Sequence, residues 1–292
     1  MQSNNPVFRR SEEFNRGGAA YGSGATYQGY GQAPPYQGYQ PGPQGYGDPT
    51  GFGTPPVQTA GGRMTIDTVV QTSAMTLGLV LLTAAATWVL TPAVDSEAAV
   101  GTLGLAVMLG AGLAFVLSLV NSFKRVVSPA LVLLFAAAEG VALGALSKLY
   151  DAMFPSEEFG GIVVQAVIGT FAAFAGTLAA YKFFDIKVGN KFRTFVVAAM
   201  FGMIALGLLE MVLLMFGNSI GISGFGPVAF LFSVAGLVLG VFMLILDFDF
   251  IEQGIRNGLP ARESWRASFA LTVSLVWIYT NLLRILAILQ QD

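Results

Sequence analysis

The 292-residue chain contains no cysteine and no histidine. Without cysteine, disulfides, thiolate metal sites and thiol nucleophiles are excluded. Without histidine, the usual general base, the commonest metal ligand and the usual sensor of near-neutral pH are all missing, so proton chemistry falls to carboxylates. Charge is scarce as well: Asp, Glu, Lys and Arg make up 11% of the residues and hydrophobic residues 54%, whereas roughly a quarter of an ordinary soluble domain is charged. That is the composition of a membrane protein. No nucleophile elbow, phosphate loop with its lysine, or His-based metal signature occurs, so neither an enzyme nor a bound cofactor is expected. The net charge of −2 is too small to say anything about partners, and no nucleic-acid partner is expected.

What the chain does have is divided unevenly. From Gly17 to Gly62 it consists largely of Gly, Tyr, Gln, Pro and Ser, with YQGY at Tyr27 to Tyr30 and again at Tyr36 to Tyr39. Such a segment cannot bury enough apolar surface to offset its ordering entropy. Residues 1–63 are therefore expected to be a disordered cytoplasmic tail, and residues 64–292 a transmembrane domain. The N-terminus lacks the basic-then-apolar pattern of a secretory signal.

After Arg63 come seven apolar runs, each near the ~20 residues that cross a bilayer. They fall at about 68–91, 98–120, 129–149, 160–181, 194–216, 227–247 and 267–289. The fold class expected is all-α: a bundle of seven transmembrane helices. Lys and Arg are retained on the cytoplasmic side of membrane proteins. Thirteen of the fifteen cations fall in the tail and the second, fourth and sixth loops, whereas Lys148 and Arg284 lie toward the other side with Asp95, Glu97, Asp151, Glu157 and Glu158. The N-terminus is thus expected inside and the C-terminus outside, in a multi-pass plasma-membrane protein. Gly140 and Gly144 on the third run, and Gly236 and Gly240 on the sixth, have the four-residue spacing that lets helix backbones approach closely in lipid.

Charges inside the runs are costly unless they face protein or water. Three stand out: Glu139 in the third run, Glu210 in the fifth and Arg284 in the seventh. Glu210 lies about sixteen residues into its run and Arg284 about seventeen into its own, so at ~1.5 Å per residue they share a depth and are expected to pair. The seventh run carries a patterned face. Ala267, Ala270, Ser274, Trp277, Asn281 and Arg284 recur at three- and four-residue steps and fall on one stripe of the helix. A helix surrounded by lipid would not carry such a stripe, so the seventh is expected at the centre, lining any pathway.

The sixth run ends in Asp247, Asp249 and Glu252. Side chains two apart on a helix point roughly 200° from each other, whereas Asp249 and Glu252, three apart, share a face. One of Asp247 and Asp249 is therefore expected to face the bundle. The other is expected to face water or the next loop, where Arg256, Arg262 and Arg266 are available. An isolated aspartate titrates near ~3.9, so a switch at cellular pH needs desolvation or a second carboxylate.

Four stretches together resemble a known family: SNNPVF at Ser3 to Phe8, SPALVLLFAAAEGVALGALS at Ser128 to Ser147, LILDFDFIE at Leu244 to Glu252, and RASFALTVSLVWIYTNLLRILAIL from Arg266 to Leu289. In order and spacing they look like the Bax inhibitor-1 family, also called the transmembrane Bax inhibitor motif family, in its actinobacterial branch. The resemblance implies seven helices with the last in the centre, and a pH-sensitive calcium leak, calcium being the transported ion. It also implies a proton-sharing pair of carboxylates on the sixth and seventh helices, and, for bacterial members, a link to membrane proteases as partners. The sixth-helix carboxylate falls on Asp247 or Asp249. Counting back from LLRIL, the seventh-helix position is held by Ser274. A carboxylate pair would then be assembled from Asp247, Asp249 and Glu252, or from a sixth-helix aspartate with Glu139. Ser274 offers a hydroxyl in place of the second carboxylate.

Overall fold

The computed structural model describes residues 62–156 and 158–291. The expected tail, residues 1–63, lies outside them except for Gly62 and Arg63. Seven helices follow: α1 (Ile66–Leu90), α2 (Glu97–Phe123), α3 (Pro129–Met153), α4 (Ile162–Phe183), α5 (Asn190–Met215), α6 (Pro227–Arg256) and α7 (Glu263–Leu289). All seven are long and apolar enough to span a bilayer, and the chain is an integral membrane protein. In the hydrocarbon every backbone polar group must be satisfied internally, which a helix achieves within one segment. Starts are set locally. Thr65 and Thr68 cap α1 reciprocally, Ser96 caps α2, and prolines occupy the first turn of α3 and α6, where the missing N–H is no loss.

The sixth helix extends beyond the expected span of 227–247 and runs on to Arg256. Nothing in DFDFIEQGIR breaks a helix, and Phe248 and Phe250 are buried in protein. The stop comes at Asn257–Gly258, where Gly258 turns with φ 64°, a left-handed conformation that glycine enters without steric cost. Asp247 and Asp249 are thus interior helix positions.

The last helix is central. Among the described residues α7 touches α1, α3, α4 and α6, whereas α2 touches only α3 and α5 only α6. Two polar seams hold it. Toward α1 runs a ladder of hydroxyls: Thr68 with Ser264 at 2.8 Å, Thr72 with Ser268 at 2.6 Å, and Thr272 donating to Thr76 at 3.3 Å. Each rung lies four residues beyond the last on both helices, so the two run parallel with facing stripes. Toward α6 the contact is close: a Cβ on Gly236 or Gly240 would collide with Asn281 or Ile278, and Trp277 Nε1 donates to the Gly236 carbonyl at 2.8 Å.

Gly140 and Gly144 do the same for α3 against α1, facing Val80, Thr83 and Ala84. At the far end of that pair, the Lys148 ammonium donates to the carbonyls of Trp88 and Thr91 at 2.7 Å each, satisfying carbonyls that α1 leaves open at its C-terminus. At the opposite end a short clip fastens the start of the domain. Met64 N donates to Leu259 O and Ala261 N to Gly62 O, both at 2.7 Å, around an antiparallel bridge between Arg63 and Pro260.

A matched pair of substitutions tests the glycine contacts. A Cβ on Gly144 would press on the backbone of Ala84, while one on Gly112 of α2 would meet nothing within 4 Å. Gly144→Ala is expected to lower stability by the ~1–3 kcal/mol of an overpacked core. Gly112→Ala should hold it or raise it by up to ~1 kcal/mol through helix propensity. Thermal unfolding of the purified proteins, followed by circular dichroism, separates the two.

Candidate functional site

The three carboxylates of DFDFIE lie on the part of α6 near the Lys- and Arg-rich loops, and each goes to a different helix. Asp247 turns toward α7 and accepts a hydrogen bond from Ser274 Oγ at 2.5 Å. Asp249, which is buried, accepts from Arg193 Nη2 of α5 at 2.7 Å and from Gln253 Nε2 one turn on, also at 2.7 Å. Glu252 accepts from the Tyr181 hydroxyl of α4 at 2.7 Å and lies 3.5 Å from Arg256. The divergence follows from helix geometry: the first two carboxylates point to nearly opposite sides, and the third falls nearer the second.

Asp247 is therefore the carboxylate that faces the central helix. Asp249 does not turn to water or to the sixth loop, as expected, but is ion-paired within the protein by Arg193. Of the three arginines expected to be available, Arg266 instead pairs with Glu263 at 3.0 Å and donates to the Arg125 carbonyl at 2.9 Å. No two of the DFDFIE carboxylates are hydrogen-bonded to each other, so the site has one carboxylate with a hydroxyl partner and, across the helix, a second neutralised by a guanidinium. Among the described residues no three acidic side chains converge to hold a metal ion.

The Asp247–Ser274 contact lies on the face of α7 singled out by its spacing. Trp277 and Asn281 continue that face against Gly236 and Gly240, with Asn281 Nδ2 donating to the Trp277 carbonyl at 2.7 Å. Glu139 stands elsewhere. It is half-buried on α3, between Phe135, which packs edge-on against Phe269 with ring centroids 4.9 Å apart, and Ser147, which bonds Tyr279. A pairing of Glu139 with a sixth-helix aspartate is not realised, because α3 and α6 do not touch and α7 separates them.

The expected Glu210–Arg284 ion pair is not formed either. Both side chains instead grip the loop that joins α5 to α6. Glu210, buried at 2% exposure, accepts from Ser219 Oγ at 2.7 Å, Ser223 Oγ at 2.6 Å and the backbone N–H groups of Ile220 and Ser223. Arg284 donates to the carbonyls of Ile222 and Gly224. The same loop packs Phe225 against both Tyr150 and Phe154, with centroids 5.8 and 4.9 Å away. Both charges reach the same loop, but that glycine- and serine-rich loop offers donors to one and carbonyls to the other, and each charge takes the complementary groups.

Three residues of the site escaped the sequence reading: Arg193, Tyr181 and Gln253. Arg193 was counted among loop cations although it lies in the first turn of α5. Its signal was its type, since it is the single arginine beside Lys182, Lys187 and Lys191, and a guanidinium rather than an ammonium suits a buried carboxylate.

A family model described as Bax inhibitor 1 like matches residues 5–291. No curated protein matches the chain.

The loop geometry makes a prediction that separates it from an ion pair. Were Glu210 and Arg284 partners, removing both would recover what removing one loses. Because each holds the loop by its own bonds, Glu210→Leu and Arg284→Leu are each expected to lower the unfolding temperature, and the double substitution to lower it further than either. A double variant more stable than Glu210→Leu alone would restore the ion-pair account.

Proposed function

The chain belongs to the Bax inhibitor 1-like family, and on that premise we propose that it is a proton-sensitive cation leak of the bacterial plasma membrane, with calcium as the ion. The end that carries the Lys- and Arg-rich loops faces the cytoplasm, and Asp247 is the sensor. The observation that carries this reading is the 2.5 Å bond from Ser274 to Asp247, which ties the sixth helix to the central one at the inner end of their shared polar face. A hydrogen bond to an ionised acceptor is roughly twice as strong as one between neutral groups. Protonation of Asp247 weakens the tie, so the seam between α6 and α7 loosens as pH falls. Asp249, held by Arg193 and Gln253, keeps its charge balanced and supports the wall rather than the switch.

A second reading has its own observation. A Cβ added at Gly101, Gly104 or Gly112 of α2, or at Gly202 or Gly207 of α5, would meet nothing within 4 Å. Small residues on outward helix faces are what intramembrane helix contacts use. On that reading the protein conducts nothing and regulates another membrane protein, such as a membrane protease. Neither reading involves catalysis or a resident cofactor.

Calcium flux into dye-loaded vesicles containing the purified protein decides between them. The leak reading expects flux above that of empty vesicles, rising as pH falls. Asp247→Asn, neutral at every pH, should conduct at all pH values with no pH dependence, while Asp249→Asn should keep the dependence. Protein that folds and inserts but gives no flux above empty vesicles supports the regulator instead.

A further inference from the structure

Between α1 and α4, which do not touch each other, lies a cavity of about 270 Å³ floored by α3 and α7. Its walls include Leu81, Ala85, Trp88, Val167, Phe171 and Leu275. These residues lie in the half of the spans away from the Lys- and Arg-rich loops: the C-terminal half of α1, the first half of α4 and the middle of α7. The gap between α1 and α4 opens the cavity sideways, toward the hydrocarbon of that leaflet.

Apart from the Trp88 indole, the polar side chains in the lining spend their donors within the protein. Ser147 Oγ donates to the Leu143 carbonyl at 2.5 Å, so in the 2.6 Å contact between Ser147 and Tyr279 it is the tyrosine hydroxyl that donates. Thr170 Oγ1 donates to the Ala166 carbonyl at 2.7 Å. The Lys148 ammonium just beyond the rim directs its bonds to Trp88 O, Thr91 O and Thr91 Oγ1. A cavity of this size and apolarity does not fill with water. It lies at hydrocarbon depth, where the apolar molecule in excess is the lipid itself. Trp88, two residues from the end of α1, stands at the level where indole rings meet the polar boundary of a bilayer.

We infer that this cavity is a binding site for one acyl chain of a phospholipid from the leaflet opposite the Lys- and Arg-rich loops, with its ester end beside Trp88. Recognition is of the chain and not of the headgroup, because the hydroxyls and the ammonium that could have addressed a headgroup are bonded within the protein. The site adjoins α7 on the side away from Asp247 and does not depend on whether the protein conducts.

The experiment uses the full chain in vesicles containing a trace of phospholipid with a photoactivatable diazirine midway along one acyl chain, and maps labelled peptides by mass spectrometry. Labelling is expected to concentrate on the α1 and α4 segments that line the cavity, and to be the same for phosphatidylcholine and phosphatidylglycerol probes with identical chains. Ala85→Trp, which puts an indole into the space, should reduce it severalfold. Val163→Trp, filling from the α4 side, should do the same if the first variant folds poorly. Leu82→Trp, on an exposed position of α1 outside the lining, should leave it unchanged. Labelling as dense on the outward faces of α2 and α5 as in the cavity, labelling unaffected by either filling variant, or labelling that follows the headgroup would each overturn the assignment.

Discussion

A polar helix at the centre of a membrane bundle can exist only if its neighbours meet its hydrogen-bonding groups, because the hydrocarbon offers none. The rest of this structure answers to that requirement. α7 is the least apolar of the seven spans. Its hydroxyls toward α1 meet a matching stripe of threonines, its indole and serine toward α6 meet a carbonyl and a carboxylate, and its tyrosine toward α3 meets a serine. Hydrogen bonds between membrane helices average only ~0.6 kcal/mol each, so their larger effect is on register. A rotation of α7 about its axis would take Ser274, Trp277 and Tyr279 away from their partners at once.

From that core the attachment thins outward. α3 is locked to α1 through two glycines, and α6 to α7 through two more. α2 and α5 hang on one neighbour each. α5 is the more loosely held: only Val196 and Glu210 of its residues are buried. Its firm contacts are polar and lie near its two ends, Arg193 with Asp249 at one and Glu210 with the following loop at the other, with the Phe192–Phe242 ring contact beside the first. Apolar packing contributes little to holding such a helix in lipid, where its alternative surroundings are equally apolar. Charged groups that would be stranded by its departure do that work.

Much of this could be read from the sequence, for reasons that are themselves physical. Membrane spans announce themselves because lipid tolerates few exceptions over ~20 residues. The α7 stripe was visible because polar residues are rare enough there for their spacing to stand out. Ser274 could be matched to a sixth-helix aspartate through the family resemblance, by counting back from LLRIL. What escaped reading was whatever depended on a second element's identity. Thr68, Thr72 and Thr76 repeat at the same four-residue step as Ser264, Ser268 and Thr272, yet threonine bonds readily to its own helix, as each rung also does, and the step alone does not name the helix across from it. The length of α6 beyond the expected span was not legible, because burial of the two phenylalanines between and after the aspartates depends on neighbouring helices. Glu210 and Arg284 reach one loop rather than each other, and a loop folding back between two charges leaves no periodic trace.

The serine opposite Asp247 also limits how the site can respond. A pair of carboxylates sharing protons changes charge in two coupled steps, whose apparent constants belong to the pair. A carboxylate facing a hydroxyl has one step, because the hydroxyl does not ionise in the range where the acid does. Whatever Asp247 controls can therefore follow a single-proton titration and no steeper one, spread over about two pH units by mass action on a lone acid. Under the proposed function, a hydroxyl where a pair would have its second carboxylate makes a graded dial of what would otherwise be a two-position switch.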